Sequence, residues 1–165
     1  MTRLTVAAAL AVAIGAATAA ASPATSMSGV VVGVQGATKT LFVADSRGHV
    51  FMVLARRVAP VGAVVRIRGE RMTPNWMIVA TGTDGRLTRN GTARKVLVQG
   101  ELGFVDIARR RFQVGAHGQV VNQVSFATRF GPALRRLGTR PPQPRSLTFR
   151  LWINAGRLSL AALPR

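Results

Sequence analysis

Asp45-Ser46-Arg47-Gly48-His49 holds, in five consecutive residues, the side-chain types of a serine nucleophile, its base and its orienting carboxylate. Such a relay needs the three groups to converge from separate elements. Here they are neighbours in the chain, between Leu41-Phe42-Val43 and Val50-Phe51-Met52. Asp or Ser bonding its own backbone, with Gly taking a positive φ, is what a hairpin turn requires, so the segment reads as a turn. His117, in Gly115-Ala116-His117-Gly118, falls in the matching turn of the second half. Two turn histidines do not supply the three or four ligands that a metal ion usually needs. Glu70 follows Arg66 and Arg68 and precedes Arg71, so a surface ion pair is its expected role. Glu101 and Asp106 have opposite parity around one predicted strand, which leaves no carboxylate pair for glycoside hydrolysis. No phosphate loop or dinucleotide glycine pattern occurs. The expectation is a protein that is not an enzyme, with no catalytic residues, no metal and no cofactor.

Cation is what the sequence does supply. Lys and Arg number 23 against five Asp and Glu, for a net charge of +18 over 165 residues, and only two of the 23 are Lys. The excess is uneven, with net +5 over residues 22–83 and net +12 over 84–165. Arg109, Arg110 and Arg111 fall in a predicted hairpin turn, while Arg135, Arg136, Arg140 and Arg145 fall in a predicted insertion. Arg66 and Arg68 lie on the polar side of one predicted strand, Arg150 and Trp152 on that of its counterpart in the second half. A face shared by Arg66, Arg68, Arg150 and Trp152 is the leading candidate site. A guanidinium fork matches phosphate, carboxylate or sulfate, and so high a charge repels itself unless an anion neutralises it. The partners this favours are single-stranded nucleic acid, anionic polysaccharide or a membrane surface with anionic headgroups. Phe42, Phe112 and Phe149 have apolar neighbours and read as core. Trp76 and Trp152 either meet a ligand or cover the junction between halves. The competing reading is an envelope structural or protein-interaction module with no small ligand, using sheet edges or exposed apolar surface.

The N-terminus reads as an address. Arg3 precedes an apolar stretch from Val6 to Ala17, and Thr18-Ala19-Ala20-Ala21 then offers small residues for cleavage ahead of Ser22-Pro23. That order is a secretory signal, with removal expected after Ala21 and a cut after Ala19 as the alternative. An uncleaved anchor is the alternative, although the stretch barely reaches the about 20 residues needed to span a bilayer. No later segment is apolar for long enough to cross. The mature chain is expected outside the cytoplasmic membrane, periplasmic or extracellular, where a protein without Cys depends on no redox state.

Past Ser28 the apolar period is two. Val30, Val32 and Val34 share one parity, as do Ala63, Val65 and Ile67 against Arg66 and Arg68, and Leu147, Phe149, Leu151 and Ile153 against Thr148, Arg150 and Trp152. These are half-buried antiparallel strands, with 17 Gly and eight Pro supplying the turns. An offset of 70 residues aligns Gly33 with Gly103, Phe42 with Phe112 and Gly48 with Gly118, in the same order of strands and turns. Strands are expected near 28–35, 40–45, 48–56, 62–69 and 75–82, and again near 95–105, 110–115, 118–127, 146–153 and 157–162. Gly131-Pro132 through Leu137-Gly138 predicts a short helix between the third and fourth strands of the second half. The fold class expected is all-β, as tandem OB-like five-stranded small barrels: residues 27–83, a linker over 84–92, and residues 93–163. Halves this small should pack together, or merge into one larger β-barrel or sandwich.

Gly29-Val-Val-Val-Gly33, Leu41-Phe-Val43, Val61-Gly-Ala-Val-Val-Arg-Ile-Arg-Gly69 and Ile78-Val-Ala80 together resemble the exported bacterial OB-like modules of unknown function. The likeness covers residues 28–82 well and 95–162 weakly, since the second half lacks the V-G-x-x-V pattern. The resemblance implies a barrel fold and assigns no chemistry.

Overall fold

The computed structural model describes residues 24–72, 76–82, 85–139 and 146–164. The expected leader over 1–21, together with Arg140 and Arg145, lies outside them. The first half forms β1 (Ala24–Gln35), β2 (Thr40–Ala44), β3 (Val50–Ala55), β4 (Ala63–Met72) and β5 (Met77–Ala80). β1 pairs β2, β2 pairs β3, β3 runs parallel to β5, β5 pairs β4, and β4 pairs β1 again. After β6 (Arg86–Thr92) comes a second set: β7 (Lys95–Asp106), β8 (Arg111–Ala116), β9 (Gln119–Ser125), β10 (Ser146–Asn154) and β11 (Arg157–Ala162). This set closes into a five-stranded barrel with the same lone parallel pairing, between β9 and β11. Between β9 and β10 lies α1 (Gly131–Thr139), whose Leu134 is fully buried in the second core. The protein is all-β, two OB-like units in tandem. No helix among the described residues is long and apolar enough to cross a membrane.

The segment expected as a linker is a strand. β6 pairs antiparallel with β4, from Ala63 opposite Thr92 to Arg68 opposite Arg86. β5 occupies that edge of β4 only over Glu70–Met72, so the remaining backbone groups need another partner. Leu87, the one large apolar side chain of β6, packs on the first core. Of the residues that suggested a linker, Gly85 precedes the strand, while Asn90 and Gly91 lie inside it at a register shift.

β2 explains how the halves join. All five of its residues are buried, with Leu41 and Val43 inside the first core and Phe42 and Ala44 in the cluster that contains the second barrel. A continuous apolar segment buried on both faces is the pattern of a strand covered on both sides. Burying Phe42 there stabilises the junction by roughly 1.5–3 kcal/mol. Backbone and side chain then fix the contact. The Gln99 N–H donates to the Gly48 carbonyl at 2.7 Å, and Asn122 Nδ2 donates to the Val32 carbonyl at 2.7 Å. His117 Nε2 lies 2.8 Å from the Val50 carbonyl, and its ring stacks on Trp76 at 4.3 Å, so Trp76 covers the junction.

The repeat is offset by 71 residues through the first hairpin of each unit rather than 70. Val31 faces Val43 and Val34 faces Leu41, as Leu102 faces Val114 and Val105 faces Phe112. Lys39 and Arg110 take positive φ of 52° and 51° in the corresponding turns. A one-residue slip in a strand exchanges its faces. Phe42 therefore points out into the junction, whereas Phe112 points into its own barrel against Phe149 and Phe126.

Candidate functional site

The residues that sequence reading set aside as a turn behave as one. Asp45 Oδ1 accepts from the backbone N–H of Arg47 at 2.8 Å and of His49 at 2.9 Å, and Asp45 Oδ2 lies 3.1 Å from His49 Nδ1. Partial burial pushes the Asp45 carboxyl up, but these hydrogen bonds outweigh it and hold the group below its usual range. Gly48, at φ +91°, completes the turn. Among the described residues no three His, Asp or Glu side chains gather as for a metal ion. Glu70 departs from expectation: it stands between Ala24 and Val79, and the ion pairs among the described residues involve only Asp45 and Asp106. The guanidinium of Arg71, the expected partner, lies over the Phe51 ring instead.

Every described Lys and Arg is exposed, so the cations are distributed over both units, and position distinguishes them. Arg66 and Arg68 share the outer face of β4. Arg66 lies between Ser28 on β1 and Thr88 on β6, and Arg68 between Ser26 and Arg86. Three guanidinium groups and three hydroxyls thus occupy one face of three paired strands. Arg68 and Arg86 oppose each other directly, an arrangement of like charges that costs stability unless an anion sits between them. Next along the same face of β1 after Ser26 and Ser28 is Val30, which lines a groove of about 550 Å3 holding Arg150 and Trp152. Arg66 and Arg68 thus lie on the β1–β4–β6 face, and Arg150 and Trp152 in the groove that Val30 borders. Two positions further along β10 from Arg150, Trp152 is 44% exposed, and Lys95 opposite it holds its ammonium 4.3 Å from the ring centroid. Asp45 and Ser46 of the other unit also line the groove.

The remaining candidates gather elsewhere. Arg109 pairs with Asp106 at 3.6 Å in the turn between β7 and β8, and Arg110 lines an apolar cleft with Arg135 and Arg136 of α1, floored by Ile107 and Phe126. Arg111 belongs to a third cleft, of about 340 Å3, on the outer face of β7–β8–β9.

Two residues escaped the sequence reading. Arg86 lies in a segment whose turn residues predict a linker, so its place in a strand beside Arg68 has no signal in the sequence. Phe104 was missed because its parity in β7 matches the inward-facing Val98 and Leu102. The register shift between Leu102 and Val105 reverses it, leaving Phe104 71% exposed in the third cleft beside Arg109, Arg111, Gln113 and Gln123. Gly103 inside the apolar run Leu102–Val105 was the available signal, since a glycine within a strand often marks a bulge. No protein-family model matches the chain, and no curated protein matches it.

Proposed function

We propose that this protein binds an anionic polymer without transforming it. The observation that carries the reading is the cluster of Arg66, Arg68 and Arg86, interleaved with Ser26, Ser28 and Thr88 across three paired strands. A second cationic cluster, Arg150 and Lys95 beside Trp152, lines a groove that Val30 also borders. Guanidinium forks and hydroxyls donate to successive oxyanions, and release of the polymer's counterions drives the association. Trp152 adds exposed apolar ring surface beside Arg150 and Lys95. The leader-like N-terminus and the likeness to exported OB-like modules support a protein delivered outside the cytoplasmic membrane, so the polymer is one met there. N-terminal sequencing of the exported product should begin at Ser22.

Fluorescence anisotropy with a labelled oligo-dT and retention on heparin, each across a salt series, test the binding. Replacing Arg66, Arg68 and Arg86 together by Gln should flatten the dependence of log K on log salt by about two units for a single strand. Loss of wild-type retention near physiological salt, or an unchanged slope in the triple variant, would overturn the reading.

A second reading, a protein-interaction module, draws on β6. It ends its sheet, so its outer edge offers backbone groups to an added strand. Arg86 and Arg89 on that edge discourage pairing with anything but an acidic segment. A photo-crosslinker at Asn90 that captured an envelope protein, with no polymer binding in the salt series, would favour this reading.

A further inference from the structure

We infer that the groove between the two units is a subsite for an acidic sugar, so that the polymer is a uronate-containing polysaccharide. The inference rests on the polymer-binding reading and adds the chemical class of the ligand. The groove combines three chemistries. Trp152 presents a half-exposed indole, beside which Val30, Leu97 and Ala161 supply further apolar surface for the C–H face of a pyranose. Arg150 lies opposite Leu97 and Lys95 opposite Trp152, so two cations flank that surface. A carboxylate on the ring reaches the Arg150 fork and the Lys95 ammonium while the ring lies along the indole. Asp45 and Ser46 complete the wall of the groove.

That wall distinguishes ligand classes. Asp45 accepts hydrogen bonds and cannot donate them, and Ser46 does either. Sugar hydroxyls donate to such a wall, whereas the phosphodiester groups of a single strand offer it only acceptors. The ammonium of Lys95, 4.3 Å from the indole centroid, also takes ring surface that a nucleobase would need for full stacking. For an acidic sugar the same ammonium is a partner. The cleft around Phe104 repeats the combination, with an exposed ring, Arg109 and Arg111, and the amides of Gln113 and Gln123 for hydroxyls.

Calorimetry of the purified protein with trigalacturonate, maltotriose and an oligo-dT of similar charge tests the inference. Trigalacturonate should bind and quench tryptophan fluorescence, maltotriose should bind at least about tenfold more weakly, and Arg150→Gln should lose about tenfold or more for the acid alone. Trp152→Ala should weaken both sugars, and both residues are exposed enough that the circular dichroism of either variant should match wild type. Trigalacturonate binding that Arg150→Gln and Trp152→Ala leave intact would overturn the groove assignment. Failure of trigalacturonate alongside salt-dependent binding of oligo-dT or heparin would overturn the sugar class and leave the polymer reading standing. Failure of all three anions would overturn both.

Discussion

Gly33 and Phe104 occupy equivalent positions in the two barrels, each just before the residue that faces the start of the second strand. Gly33 precedes Val34, which faces Leu41, and Phe104 precedes Val105, which faces Phe112. At Gly33 the second unit presses close: a Cβ there would fall on the Val121 carbonyl oxygen and 3.1 Å from Phe42 Cδ2. At Phe104 the same face lies open. The neighbouring cross-strand pair agrees, being Phe42 with Met52 in the first barrel and Gln113 with Gln123 in the second. One face of the shared fold makes the junction in one copy and meets solvent in the other.

The two positions should respond oppositely to substitution. Gly33→Val forces backbone apart at the junction and should cost about 3 kcal/mol in urea unfolding. Phe104→Ala, at an exposed site, should change stability by no more than about 0.5 kcal/mol. Comparable small losses at both would contradict the close approach at Gly33.

Arg68 and Arg86 repel across strands, so reversing one charge should help the fold. Arg86→Glu should raise stability by about 0.5 kcal/mol at low ionic strength. The gain should fade in high salt, and polymer affinity should fall in the same variant. Thermal unfolding at two salt concentrations measures it; a loss of stability at low salt would show that the guanidinium groups point apart.

Asp45 sets an acid-side dependence. Its carboxyl is held below its ordinary value in the folded chain, so its contribution is fully present above the unfolded pKa and is lost as pH falls through the lowered folded one. Asp45→Asn should cost about 1 kcal/mol at neutral pH, with the gap to wild type closing below about pH 4. A gap that widens on acidification would mean that the turn hydrogen bonds do not favour the charged form.

β6 should show itself in hydrogen exchange. Its amides that bond to β4 should exchange at least about tenfold more slowly than those of Thr81 and Gly82 just before it. Equal rates across 81–92 would return the segment to the status of a connector.

Much of this protein was legible along the chain. The period of two in Val30–Val34, Ala63–Ile67 and Leu147–Ile153 determined strands, and Gly48 and Gly118 marked their turns, because one side chain in two must enter a core. The parity of Arg66, Arg68, Arg150 and Trp152 turned them outward, whereas the cover on both faces of Leu41–Ala44 came only with the docking of the second unit. Three matters needed the tertiary structure. Whether Arg86 belongs to a strand depended on an unfilled edge of β4, which no residue of 84–92 encodes. Which way Phe104 points depended on a one-residue bulge, and periodicity cannot register an inserted residue that reverses a face. That Arg150 and Trp152 share a groove with Asp45 and Ser46 of the other unit depended on how two barrels dock, since local pattern specifies faces and only packing decides which faces meet.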